Sequence, residues 1–449
     1  MSAVAGALAE KVLALGEIPQ DVKSRCADLL VDIAGLCVAA RASDYVAALK
    51  NSLDPGEPCT AIGHAGTFNA EDAAMLNGAA AHGEDFDDTF EGGPVHSGAV
   101  VVPAVLAACE RFGRSGRDAL LGIATGVETL CRLSLVAPKR LHDAGFHPTA
   151  VLGVLASTVS VTKALNLSEN QTVAALGIAG SMAGGLGEYL SDGSWTKRLH
   201  PGWAAHCGLH AARLAREGFT GPRTVLEGKR GVFAAFTHKT VFHFEELLEG
   251  FGETWRLKDL AFKPYATGTM NQPYIDCALR LAKRGFAAED VAEVLCETAS
   301  GYVERLWEPL AAKHRPPNAY AAKFSVPFNI AVAFVTGGAG LAAFSEETVR
   351  DARVLALAAK VRYAVDPANP YPRAYTGHVR MTLKDGRVFE ERQPHIRGGA
   401  SEPLTQGELH EKFRRNASHG GWPAPLAERF LSFSEKAFDG PLDLSPFRA

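Results

Sequence analysis

The sequence lacks a charge excess of either sign. Its 449 residues carry 46 basic and 50 acidic side chains, for a formal net charge of −4. That balance excludes a protein built to coat phosphate backbones, because nucleic-acid binders carry a net basic face. Only 8% of residues are aromatic, too few for a hydrocarbon-lined terpenoid pocket. The eight cysteines, Cys26, Cys37, Cys59, Cys109, Cys131, Cys207, Cys277 and Cys296, include no C-x-x-C pair. Neither a zinc cage nor an iron–sulfur cluster has its usual ligand spacing, and buried free thiols are the expectation. The longest charge-free run, Phe324 to Ser345, is interrupted by Pro327, Asn329, Gly337, Gly338 and Gly340, so it reads as a buried core helix and no membrane span is expected. Glu10 and Lys11 interrupt the first apolar stretch and no basic segment precedes it, which is wrong for a secretory signal, so the expectation is a cytoplasmic chain.

What is present is helix after helix over the first 240 residues. Val22, Cys26, Leu29, Leu30, Ile33, Leu36, Cys37 and Ala40 recur at steps of three and four, giving one apolar stripe. The same texture predicts helices over 70–81, 100–111, 117–135, 149–165, 169–183 and 201–217, many rich in Ala and Gly so that neighbours can approach closely. Beyond about residue 260 the pattern alternates. Two strand-like runs, 379–383 and 387–392, flank Lys384-Asp385-Gly386, where Gly386 supplies the left-handed residue of a hairpin turn. Segments 290–298 and 356–364 are candidates to pair with it, while 319–335 and 345–353 look helical. Helices return at 408–415 and 425–437, with Trp422 and Pro423 marking a crossing. The expected architecture is mainly α: a large all-helical domain over residues 1–265, completed by C-terminal helices in 404–449, and a smaller α+β domain over 266–403.

Several clusters could carry chemistry. Asp85-Phe86-Asp87-Asp88-Thr89 follows a helical run, and a continuing helix would set Asp85, Asp88 and Thr89 on one face. Three carboxylates so close repel one another unless something rewards them, a solvated helix end being the competing explanation. His82 lies one turn earlier, and His96 follows in a Gly-Gly-Pro loop. His147, before Pro148, opens a helix whose dipole favours the neutral imidazole of a general base. Lys197, Arg198 and His200 crowd together ahead of the 201–217 helix and suit an anion such as a carboxylate, against the alternative of a basic surface loop. Lys263 sits at the suspected domain border, where clefts form. The glycine strings at 336–340 and 180–187 follow helices, so neither has the βαβ context of a dinucleotide site.

Taken together, the segments LNGAAAHGEDFDDT (76–89), HSG (96–98), GFHP (145–148), TKRLHPG (196–202), FKPY (262–265), AKFSVP (322–327) and KDG (384–386) resemble the MmgE/PrpD family, which includes 2-methylcitrate dehydratases, cis-aconitate decarboxylases and an iminodisuccinate epimerase. The resemblance implies a homodimer with its site in a cleft between domains, no metal and no organic cofactor. It places active-site positions at Asp85, Thr89, His96, His147, Lys197 and Lys263. A histidine common after the Lys-x-Tyr motif falls at Gln272 here, which puts a strict 2-methylcitrate assignment in doubt.

The chemistry shared by such enzymes makes or quenches a carbanion beside a carboxylate, and the added charge calls for fixed positive groups. Lys197 and Lys263 suit that task, with His147 as base or acid. A lysine with a depressed pKa is the alternative base. Asp85, hydrogen-bonded with Thr89 and His96, is expected to orient the histidines or to handle the leaving hydroxyl, while Thr89, Lys197, Arg198, His200, Lys263 and Gln272 would contact a small di- or tricarboxylate. The expected activity is a 2-methylcitrate dehydratase-like hydro-lyase. The alternatives are an epimerase of the iminodisuccinate type, a cis-aconitate-type decarboxylase, and an inactive helical binding scaffold.

Overall fold

A computed structural model describes residues 3–449, so Met1 and Ser2, the first positions of the expected helical domain, lie outside the described residues. The chain is mostly helical with a small mixed sheet, and its Cα atoms cluster into two units. The first holds residues through 83, 87–260 and 405–449; the second holds Glu84–Phe86 and Ala261–Leu404.

The long helices of the first unit are α1 (Val4–Ala14), α2 (Gln20–Ala40), α3 (Ala70–His82), α4 (Gly98–Phe112), α5 (Gly116–Val136), α6 (Pro148–Ala164), α7 (Glu169–Met182), α8 (Thr196–Arg216), α9 (Gln406–His419) and α10 (Ala424–Ser434). Local chemistry sets several of their starts. Ser115 with Asp118, Ser168 with Gln171 and Thr405 with Glu408 form reciprocal capping boxes at α5, α7 and α9. Cysteines 26, 37, 59, 109, 131 and 207 of this unit, like Cys277 and Cys296 of the second, are buried and free. Helix α5 is long and apolar enough to cross a membrane by length and composition, yet 89% of its apolar window is buried inside the protein. A short antiparallel pair, Cys59–Thr60 with Thr67–Phe68, departs from the purely helical expectation.

Helix α8 is central, packing on α3, α6, α7 and α4. It crosses α3 where glycine faces glycine: a Cβ on Gly78 would stand 2.7 Å from the Gly202 Cα, and one on Gly202 would overlap the Met75 carbonyl oxygen. Backbone therefore meets backbone, which fixes how deep α8 lies. The helix starts at Thr196, ahead of the expected 201, even though Pro201 has no N–H to give the Lys197 carbonyl. Lys197, Arg198 and His200 are thus helical residues and not a preceding loop. Far along the chain, α9 is tied to α2 by a buried ion pair, Lys412 Nζ to Asp32 Oδ1 at 2.6 Å.

In the second unit, β1 (Val291–Thr298), β2 (Val361–Val365), β3 (Gly377–Leu383) and β4 (Val388–Gln393) form one sheet in the order β2-β1-β3-β4. Strand β2 runs parallel to β1, and β3 runs antiparallel to both β1 and β4. Gly386, with φ of 88°, sits in the hairpin turn as expected. The helix Gln272–Ala282 packs on β3 and β4. Two boundaries differ from the sequence reading. Residues 352–358 are helical, so the strand expected over 356–364 begins only at Val361, and the helix expected over 345–353 is a 3₁₀ turn at Thr348–Arg350 followed by that helix; Asp351 accepts from the Arg353 N–H and caps it. The stretch 319–335 divides into Ala319–Ala322 and Val326–Thr336, because Ser325 accepts from the Phe328 N–H and Pro327 suits only a first turn.

The glycine crossing makes a direct prediction. Gly202→Ala should lower unfolding free energy by about 1–3 kcal/mol, the usual cost of overpacking, although alanine alone favours helix by about 1 kcal/mol. Urea titration reads the sign, and an unchanged or raised midpoint would contradict the close crossing.

Candidate functional site

Helix α3 ends at His82, and the chain does not continue as the helix expected for Asp85–Thr89. Asp85 adopts φ of 54°, a left-handed conformation that an α-helix cannot contain and that aspartate tolerates better than most residues. Within the second unit, Lys263 Nζ donates to the Asp85 carbonyl at 3.0 Å, and Lys323 Nζ donates to the Glu84 carbonyl at 2.7 Å and to its carboxylate at 2.6 Å. Both lysines are buried. They claim the carbonyls that a continuing helix would have used.

The three aspartates of this segment go to three different places. Asp88 accepts from the backbone N–H groups of Ser97 and Gly98 at 2.9–3.1 Å, serving the first turn of α4 from a distance. Burial and the adjacent Asp87 still push its carboxyl up to about 7, against those hydrogen bonds. Asp87 turns its carboxylate to the histidines: His82 Nδ1 lies 2.7 Å from Oδ2 and His96 Nδ1 lies 3.5 Å from the same oxygen. Asp87 is thus a carboxylate that meets the imidazoles of His82 and His96. Thr89 follows, buried in a two-residue strand with Phe90.

His96 is fixed by its backbone N–H, which donates to Thr149 Oγ1 at 3.2 Å, and by Nδ1, which donates to the Asp88 carbonyl at 2.7 Å. His147 occupies the N-cap of α6 with Pro148 at the first helical position. Its backbone N–H donates to the Gly185 carbonyl at 2.9 Å, and the neighbouring Phe146 bridges Leu186, so the loop before α8 is clipped to the head of α6. Across that clip, His147 Nδ1 lies 3.1 Å from His200 Nδ1, one nitrogen donating and the other accepting. Rings of His82, His96, His147, His200 and Tyr189 succeed one another at centroid separations of 4.8–6.5 Å.

The first unit thus brings four histidines, Asp87, Tyr189 and the buried Lys197 into one cluster. Burial, then the neighbouring His82, Lys197, His200 and His96, hold His147 well below the usual histidine range. Burial with His82 and Lys197 pushes His200 down to about 4. Both are neutral imidazoles at neutral pH, able to pass a proton, beside a lysine whose cation attracts an anion.

Other expected residues make contacts of their own. The Arg198 guanidinium lies over the Tyr45 ring, 4.4 Å from its centroid, one position round the helix from Lys197. In the second unit, Gln272 is fully buried and its amide donates to the carbonyls of Tyr265 and Thr267 at 3.0 and 3.1 Å, bracing the loop that follows Lys263. Sequence reasoning left His82, Asp87 and Tyr189 out of the site. Only the five-residue step from His82 to Asp87 hinted at the first two.

His82, Asp87 and His96 offer ligand atoms within 4.8 Å of one another, the geometry of a possible metal group. The nitrogens turned to Asp87 are already committed as donors, however. His96 Nδ1 meets a carbonyl, which only accepts, so that nitrogen carries a proton. The donor set is arranged around protons.

Comparison with known proteins agrees on one family. Residues 7–245 match the family model described as MmgE/PrpD N-terminal domain, and residues 265–425 match MmgE/PrpD C-terminal domain. The chain is 32% identical over 367 residues, 77% of its own length and 72% of the relative's, to a protein named cis-aconitate decarboxylase from Homo sapiens. It is 31% identical to the Mus musculus protein of that name, over 77% of the chain and 71% of the relative. A cis-aconitate decarboxylase from Aspergillus terreus (strain NIH 2624 / FGSC A1156) is 28% identical over 90% of the chain and 86% of the relative.

The depressed histidines make stability depend on pH. His200 titrates near 6.5 when unfolded and at about 4 when folded, so the unfolded chain binds more protons in between. Its contribution is complete above about pH 6.5 and is lost as pH falls toward 4. Asp88, raised to about 7, works with the opposite sign, its contribution disappearing as pH rises through that value. His200→Asn should therefore flatten the fall of Tm between pH 6.5 and 4 relative to the parent, and identical slopes in calorimetry would contradict the neutral assignment.

Proposed function

The chain belongs to the MmgE/PrpD family and is an enzyme, a lyase, and from that premise we propose that it decarboxylates an unsaturated tricarboxylate of the cis-aconitate kind. The observation that carries this reading is the activity named for its relatives, which align over most of both chains. The hydro-lyase of the 2-methylcitrate type, expected first from sequence, shares the carbanion step, but none of the three relatives described above bears that name.

The chemistry fits the cluster. Loss of carbon dioxide breaks the bond between the methylene carbon and its carboxylate. The electron pair shifts through the double bond toward the far carboxylate, and one proton adds at the carbon beside that group. The products are carbon dioxide and an unsaturated C5 dicarboxylate. The dienolate between them carries one more negative charge on its carbon framework than the bound substrate, so catalysis requires cationic charge set in advance. Lys197 provides it from a buried position at the start of α8. His147, neutral and bonded to His200, lines the path by which the proton reaches carbon.

Proton NMR in heavy water tests the reading. With cis-aconitate the expected result is a C5 product bearing one deuterium beside a carboxylate. No change with cis-aconitate, together with dehydration of 2-methylcitrate or epimerisation of iminodisuccinate, would overturn the decarboxylase reading. His147→Gln and Lys197→Ala should each lower kcat by about a hundredfold or more; near-parental turnover in both would remove them from the mechanism.

A further inference from the structure

His82 closes α3 with its side chain wholly buried, and so is that of Asp87. At 2.7 Å from a carboxylate oxygen, His82 Nδ1 is the donor, which fixes one tautomer and leaves the lone pair on Nε2. That Nε2 is buried and has no hydrogen-bond partner among the described residues. A histidine kept for structure alone satisfies both nitrogens, because an unmet buried acceptor costs stability. Here the unmet atom belongs to a ring that stacks on His147 at 5.7 Å and meets His96 edge-on at 4.8 Å. The groups facing it are Asp87 and His96 from the segment after α3, His147 from the head of α6, and His200 from α8, which feels its charge.

We propose that Asp87 and His82 form an acid–base dyad, in which Asp87 holds the Nδ1–H tautomer and His82 Nε2 accepts and returns the proton that the lyase reaction moves. This rests on the reading that the cluster performs proton transfer at carbon. Each decarboxylation forms one C–H bond. The proton leaves a group of the site, which is neutral between turnovers and takes one up from water as the next anionic substrate binds. Nε2 can hold that proton because the resulting imidazolium stands against the Asp87 carboxylate. Asp87 is a positioning residue in this arrangement: it acts through His82, as the buried aspartate of a serine-protease triad acts through its histidine.

The test reads tautomers and rates separately. In the ligand-free protein labelled with ¹⁵N-histidine, the His82 signals should show a protonated Nδ1 and an unprotonated Nε2 near pH 8. In Asp87→Asn, whose amide can donate to Nδ1, the two nitrogens should exchange roles. Turnover of cis-aconitate by Asp87→Asn and by His82→Gln should fall by about a hundredfold or more in kcat with KM little changed, and the acid limb of the kcat profile should move. A protonated Nε2 in the parent protein overturns the proposal, as does a folded His82→Gln with the parent's kcat and pH profile. If His82→Gln does not fold, the parent spectrum and Asp87→Asn decide. If the parent turns over no carboxylate at all, the lyase assignment of substrate fails, while the tautomer result still shows whether the dyad is set as proposed.

Discussion

Two adjacent carboxylates, Asp87 and Asp88, have no solvent exposure, and the need to satisfy them shapes everything between the end of α3 and the start of α4. A carboxylate without water must receive hydrogen bonds from protein or take up a proton. Asp88 solves this with backbone N–H groups at the head of α4, where the helix dipole also favours negative charge. Asp87 receives the imidazole N–H of His82 on one oxygen, with His96 Nδ1 3.5 Å from the same atom. The first solution is architectural and the second is chemical, although the two residues are neighbours in sequence. The same strand of chain therefore anchors a core helix and seeds the histidine cluster.

The cluster inherits its geometry from how closely helices can approach. Gly78 lies one turn before His82, and Gly202 lies two residues after His200. Where these glycines meet, backbone touches backbone, so the ends of α3 and α8 that carry the histidines are placed by rigid elements and not by loops. Side chains on such elements lose little freedom when a substrate arrives. The clip between His147 N–H and the Gly185 carbonyl extends this precision to the one histidine that stands at a loop boundary.

Much of this was legible in the residues. Helices with three- and four-residue apolar steps were found near their observed bounds because packing and capping agree there, as at Ser115, Ser168 and Thr405. The hairpin was visible because Gly386 is the residue such a turn demands. His147 stood out as an N-cap followed by proline. The Asp85–Thr89 segment was misjudged because its conformation is set by Lys263 and Lys323, lysines 178 and 239 positions from the carbonyls they bond. No local pattern contains that information. Asp85 and Asp87 are the same residue type two positions apart, and the left-handed turn at Asp85 precedes the Asp87 carboxylate that meets His82. Arg198 was read into a loop, whereas a helix carries it with its guanidinium over Tyr45.

The electrostatic logic of the cluster follows from its membership. Several imidazoles around one lysine cannot all be protonated out of water, so most must be neutral, and the depressed His147 and His200 are the ones that yield. A neutral histidine is a poor counter-charge for a carboxylate but an efficient carrier of protons. A buried ammonium is the reverse. In the proposed reaction, dividing the two tasks between Lys197 and the histidines would let one site bind an anion and move a proton beside it without either demand spoiling the other.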